Sequence, residues 1–276
     1  MALRFAFCTD DTLVDTQLHA AVDNLAECGW DGVAVGFDPG GHLAPKAPDL
    51  TRRVEGLARH LERRGLACAV SLAPLAGLAS SDSEERAAAV GVLRTAAEVA
   101  GALGAEVVAF SPGVIPADSD HDRSEAWSWL IDVCEQAVEV ADEAGVEACL
   151  EPVPGSLVPD APAWAVVHDD VPRLRLGLDL GSTLLGGTED PAGAVKLWAP
   201  HLGAVAASDV DRRTAATVPL GQGELELHRA VAALNGVGYG HLVRVRLPLD
   251  GDRSPDASTA ALRVLKGAEL SIQVGH

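Results

Sequence analysis

The chain has 276 residues, 48% of them apolar and 22% charged, and a formal charge of −19. So large an acidic surplus argues against nucleic acid as a partner, since phosphate binding needs concentrated Lys and Arg, and it suits a protein kept soluble in the cytoplasm. No stretch approaches the roughly 18 uninterrupted apolar residues of a membrane span, and no basic region followed by a long apolar run opens the chain, so neither a membrane partner nor a secretory signal is expected.

Short apolar runs alternate with amphipathic helical stretches along the whole length. Residues 3–8 read as a strand and 15–28 as a helix stopped by Gly29. A strand over 32–37 precedes a helix over 50–64 that ends at Gly65. The strand 66–72 leads to a long helix near 82–103, with Ser81 or Ser83 as N-cap and Gly104 at its end. Then come a strand at 106–111, a helix at 123–144 closed by Gly145, a strand at 146–151 and a shorter helix near 162–168. Strands at 174–179, 203–208 and 241–247 alternate with helices near 191–197, 224–234 and 255–266.

The strands are near-continuous apolar runs without strict alternation, as parallel strands covered on both faces require. Glycine closing a helix just before a strand is the usual joint between the two. Eight strand-then-helix units predict an α/β fold with a single (β/α)8 TIM barrel, one domain over residues 1–276. An open doubly wound sheet fits less well, because Phe7-Cys8-Thr9-Asp10-Asp11-Thr12 after the first strand holds no glycine.

Four strands in the second half finish on charged residues: Glu151, Asp179, Asp209 and Arg246. A barrel builds its active site at the C-terminal ends of its strands. Three acids there suggest a divalent-metal site, whereas the fixed cation Arg246 argues against one.

The chain resembles the xylose isomerase-like TIM barrels, the sugar-phosphate isomerase/epimerase and endonuclease type, over nearly its whole length. The markers are Gly29-Trp30-Asp31-Gly32-Val33, Leu103-Gly104-Ala105-Glu106-Val107-Val108, Leu150-Glu151-Pro152, Leu176-Gly177-Leu178-Asp179-Leu180-Gly181-Ser182, Gly221-Gln222-Gly223-Glu224 and Gly238-Tyr239-Gly240-His241-Leu242. The resemblance implies a divalent ion held by a strand-five Glu, a strand-six Asp, a strand-seven His and a strand-eight Glu. Glu151 and Asp179 match the first two. The His position falls on Ala206, with Asp209 as the acid that trails it, and the last Glu falls on Arg246. Ser182 stands where the family has a His three residues after the Asp, Ala34 where it often has a strand-two Glu, and Leu157 where it often has a second acid. The chain thus reads as a divergent member with a degraded metal site.

The expected chemistry is isomerase/epimerase- or lyase-type proton abstraction next to a carbonyl on a small sugar-derived or hydroxy-carbonyl metabolite. Glu151 or Asp179 is the base, and Arg246 stabilises the enediolate. Asp209, Ser182, Arg244, Arg212 and His42 are candidate substrate contacts. Arg244 shares a strand face with Arg246 because they are two residues apart. No cofactor is expected; the alternative is Mg²⁺ or Mn²⁺ weakly held by Glu151 and Asp179. Two other readings stand beside this one: a non-catalytic barrel binding a metabolite or partner subunit, and an ordinary metal-dependent sugar isomerase with a rearranged site. The partner is a small-molecule substrate, with homodimer formation left open.

Other signals are weaker. The cysteines Cys8, Cys28, Cys68, Cys134 and Cys149 are scattered and form no C-x-x-C pair, so neither a zinc ribbon nor a redox motif is supported. Cys8, near the first strand end, is the one with a claim to line a pocket. Asp118-Ser119-Asp120-His121-Asp122 lacks the spacing of a calcium loop, and His241 reads as structural at the barrel bottom. Lysine is confined to Lys46, Lys196 and Lys266, an actinobacterial-like coding bias.

Overall fold

The apolar runs become strands in the computed structural model, which describes residues 2–9, 15–37, 42–72, 75–112, 123–187, 189–248 and 254–274. The strands are β1 (Arg4–Cys8), β2 (Gly32–Phe37), β3 (Ala67–Leu72), β4 (Val107–Phe110), β5 (Glu147–Leu150), β6 (Arg175–Asp179), β7 (Leu202–Ala207), β8 (Asp209–Asp211), β9 (Ala216–Val218) and β10 (Leu242–Val245). Between and after them lie α1 (Asp15–Cys28), α2 (Leu50–Arg64), α3 (Ser83–Ala102), α4 (Arg123–Glu143), α5 (Ala161–Asp170), α6 (Leu180–Gly186), α7 (Pro191–Trp198), α8 (Leu227–Gly236) and α9 (Pro255–Val274). Eight parallel strands close in the order β1-β10-β7-β6-β5-β4-β3-β2. The fold is a single (β/α)8 barrel.

Strand parity divides the side chains between two cores. Phe5, Phe7, Val33, Val35, Val70, Val108, Phe110, Leu150, Val205 and Val243 face outward and pack with the helices in one large apolar cluster. The inward positions are small: Ala6, Ala34 and Ala69 cluster with Leu242, and Val107, Ala109, Cys149 and Ala204 form a second group. Barrel interiors are more often filled by bulky branched side chains. Here the space along the axis is taken by Arg244, only 1% exposed.

Some local readings are revised. The N-cap of α3 is Asp82, whose carboxylate accepts from the Glu84 N–H at 2.8 Å, and neither Ser81 nor Ser83 caps it. Two features carry no apolar period long enough to announce them: the seven-residue α6 and the antiparallel β8–β9 pair beyond β7. The segment Asp118–Asp122 lies outside the described residues.

Candidate active site

Glu151 follows β5 directly, its N–H donating to the Phe110 carbonyl at 2.8 Å. The residue is 6% exposed, and its neighbour on β6 is Gly177. A Cβ at Gly177 would collide with Glu151 Cγ. Asp179 ends β6 and caps α6: its Oδ1 accepts from Ser182 N–H at 2.8 Å and from Ser208 Oγ at 2.7 Å.

Arg244 of β10 and Arg246, the residue just after that strand, converge on these acids. Arg246 donates from Nη2 to Glu151 Oε2 at 2.8 Å and from Nη1 to Asp179 Oδ2 at 3.1 Å. Arg244 reaches across the interior, donating from Nη1 to Ser71 Oγ at 2.8 Å and from Nη2 to Glu151 Oε1. Two guanidiniums therefore face two carboxylates, and the cluster is balanced in charge. Burial opposes ionisation of Glu151, but Arg244 and Arg246 outweigh it and hold the carboxyl down at about 2. Burial likewise works against the Arg246 cation, and Glu151 and Asp179 overcome it, raising its pKa. Arg246 keeps 30% of its side-chain surface exposed at the mouth, against 1% for Arg244.

The other predicted residues divide. Ser182 sits on α6 beside Asp179 and lines a small cleft of about 20 Å³ with Asp160, Thr183 and Glu189. Asp209 is 1% exposed, and its carboxylate accepts four backbone N–H groups, from Val210, Gly221, Gly223 and Leu225, at 2.8 to 3.0 Å. It ties the chain between β9 and α8 to the end of β7; Gly223 is required there because a Cβ would strike Asp209 Oδ1. Arg212 is exposed, and its N–H donates to Glu224 Oε1. His42 is buried at 3%, its ring edge-on to His19 of α1 at 6.2 Å, so it belongs to the helical layer rather than the cluster. His241 meets Glu106 at 2.6 Å at the opposite end of the barrel.

Ser71 and Ser208 were not among the predicted residues. Each was signalled by a polar residue at inward parity in an apolar strand: Ala67-Ala69-Ser71 and Ala204-Ala206-Ser208.

The divalent centre implied by the resemblance can be tested against this donor set. Each Glu151 oxygen already accepts from a guanidinium, Asp179 accepts from Arg246, Ser208 and Ser182, and Ala206 has no donor atom. Among the described residues no three His, Cys, Asp or Glu side chains converge as a metal site. The residues present do not fit such an ion, since Arg stays protonated and supplies the positive charge that the acids need.

Comparison with known proteins accords with the barrel fold. No curated protein sequence matches the chain. Solved structures do: D-psicose 3-epimerase from Clostridium cellulolyticum H10, crystallised with D-tagatose, has a TM-score of 0.80 at 17% identity, covering 96% of this chain and 99% of that one. The 3-keto-D-glucoside 4-epimerase of E. coli has a TM-score of 0.79 at 14% identity, covering 96% and 99%. An L-ribulose 3-epimerase has a TM-score of 0.78 at 18% identity, covering 99% and 98%. The family model described as xylose isomerase-like TIM barrel matches residues 22–268, and the chain belongs to that family.

Proposed function

We propose that the chain is an isomerase/epimerase-type enzyme that removes a proton next to the carbonyl of a small sugar-derived or hydroxy-carbonyl substrate, without a bound divalent ion. The observation that carries this is the Arg246 guanidinium, bonded to both acids yet still exposed at the mouth. Among the described residues, Arg246 uses two of its five N–H groups, on Glu151 and Asp179, and a guanidinium can offer others to a substrate oxygen. The fold neighbours, sugar epimerases by name, support the substrate class.

In this reading the substrate carbonyl approaches Arg246, which polarises it and takes up the charge that develops on the enediolate oxygen. As the guanidinium turns toward substrate, Glu151 Oε2 loses a donor and becomes a stronger base, while Arg244 keeps the side chain in place. Glu151 then takes the proton from the adjacent carbon. Asp179 is less suited, because α6 and Ser208 occupy Oδ1 and Arg246 holds Oδ2. The cytoplasm is the proposed compartment.

One observation favours a second reading, a non-catalytic metabolite-binding barrel: every carboxylate oxygen of Glu151 and Asp179 already has a partner. Proton exchange separates the two. Purified protein treated with EDTA is incubated in D₂O with D-fructose, D-tagatose and dihydroxyacetone and followed by proton NMR. Deuterium entering the carbon beside the carbonyl, lost in Glu151→Gln, is the expected result. Exchange that needs added Mn²⁺ or Mg²⁺ would overturn the metal-free reading, and no exchange at all would favour the non-catalytic one.

A further inference from the structure

We propose that Cys8 is the second proton-transfer group of this site, facing Glu151 across the barrel mouth with Arg246 between them. The inference rests on the proton-abstraction reading above and adds the residue that makes inversion of a carbon feasible.

An epimerisation removes a proton from one face of a carbon and delivers one to the other, so a single base fixed on one side is insufficient. Among the described mouth residues, two acids are consumed elsewhere. Asp179 caps α6 and binds Ser208, and Asp209 serves four backbone N–H groups. Cys8 ends β1 at inward parity: Phe5 and Phe7 pack outward among the helices, whereas Ala6 and Cys8 belong to the inner cluster with Ala34 and Ala69. Strand β1 stands four places from β5 around the closed ring of eight, directly opposite it. Its register, Phe7 beside Val245 and Cys8 beside Ala34, sets Cys8 next to Arg246.

Cys8 and Arg246 interact electrostatically, so the guanidinium stands beside the sulfur that would carry the charge once the thiol has given up its proton. Cys8 is also half-buried at the mouth. The other thiols are placed differently. Burial pushes Cys68 and Cys134 up to about 12 and raises Cys149 as well, and Cys28 lies 3.2 Å from Thr259 Oγ1 on the helical side.

The step balances without a redox partner. The C–H bond breaks as Glu151 takes the proton, and the electron pair moves into an enediolate whose oxygen faces Arg246. The Cys8 thiol then gives its proton to the same carbon from the opposite face and remains as a thiolate beside the guanidinium. After product leaves, Glu151 returns its proton to solvent and the thiolate takes one up.

Two measurements test the assignment. In the first, the protein is alkylated at neutral pH with iodoacetate and with iodoacetamide, and the modified peptides are identified by mass spectrometry. Cys8 is expected to react first, with a preference for the anionic reagent that falls in Arg246→Gln and returns in Arg246→Lys. In the second, Cys8→Ala and Cys8→Ser, checked for folding by circular dichroism, are assayed with D-fructose and D-tagatose in D₂O. Both variants should keep deuterium exchange through Glu151 while inversion drops by about 100-fold or more, the usual worth of a general acid. Inversion at the wild-type rate in Cys8→Ser, or alkylation indifferent to Arg246, overturns the role of Cys8 and leaves the parent reading standing. Wild-type protein that exchanges no proton with either ketose overturns the parent reading, and this inference with it.

Discussion

Arg246 Nη2 and Glu151 Oε2 meet at 2.8 Å, and the same guanidinium reaches Asp179 at 3.1 Å. With Arg244 on the other oxygen of Glu151, the two arginines supply the two positive charges that a divalent ion would bring to these acids. Removing one partner of such a buried set leaves a carboxylate uncompensated, which costs more than the pair contributes. Arg246→Met should therefore lower stability by about 3 kcal/mol, the low end for a buried pair because the arginine is partly exposed. Urea denaturation checks this, and Arg246→Lys should recover part of the loss.

The Glu151 carboxyl is held at about 2, below its ordinary 4.5. A lowered acid contributes stability that is fully present above the unfolded value and is lost as pH falls through the folded one. The stabilising effect should therefore fade between about pH 4.5 and pH 2. It amounts to roughly 3 kcal/mol at neutral pH, taking about 1.4 kcal/mol per pKa unit. Glu151→Gln should flatten this part of the acid limb in denaturation midpoints measured from pH 6 to 2, and an unchanged limb would refute the pairing.

Gly177 gives Glu151 its room. Gly177→Ala would drive a Cβ into Glu151 Cγ, so the carboxylate must leave its arginines or the strands must separate. A loss of about 1–3 kcal/mol is expected, the usual cost of overpacking. Gly56→Ala on α2, where a new Cβ meets nothing within 4 Å, should instead stabilise by up to about 1 kcal/mol. Melting temperatures of the two variants should move in opposite directions.

The barrel was legible in the sequence because four of its helix ends are marked locally. Gly29, Gly65, Gly104 and Gly145 take positive φ, so helix and strand are separated by residues of one conformational type. The gathering of Glu151, Asp179 and Arg246 at one end of the barrel was legible too, since parallel strands bring their endings together. Asp209 was not. Nothing in the spacing from 209 to 221–225 says that a glycine-rich segment will fold back to donate its N–H groups to one carboxylate. His42 was read as a substrate contact because its burial against His19 depends on how the helical layer packs. The inward serines Ser71 and Ser208 show a parity signal only once the register is known.

Asp209 separates a structural acid from a catalytic one. Its carboxylate accepts four N–H groups at 2.8 to 3.0 Å, three of them from the chain that leads into α8. Asp209→Ala should cost about 2–4 kcal/mol, from several buried donors left unpaired. It should also raise amide hydrogen exchange at residues 221–225 before the rest of the barrel. Asp209→Asn keeps one acceptor and should fall between. Exchange unchanged at those amides would mean that the carboxylate is free for another task.

If the arginines replace the charge of an ion, restoring donors while removing cations should restore the ion. Ala206 is fully buried, faces inward and pairs in register with Asp179, so a histidine there would lie at the level of that carboxylate. Arg246→Glu adds the fourth donor and removes the guanidinium from Glu151 and Asp179. Arg244 still holds the other Glu151 oxygen, so Ala206→His with Arg246→Glu should bind Mn²⁺ weakly, and adding Arg244→Leu should tighten it. Titration calorimetry should give one saturable Mn²⁺ site per chain in the triple variant and none in the wild type. Equal binding with and without Arg244 would show that the inner guanidinium does not compete with the ion, and Arg246 alone would then account for its exclusion.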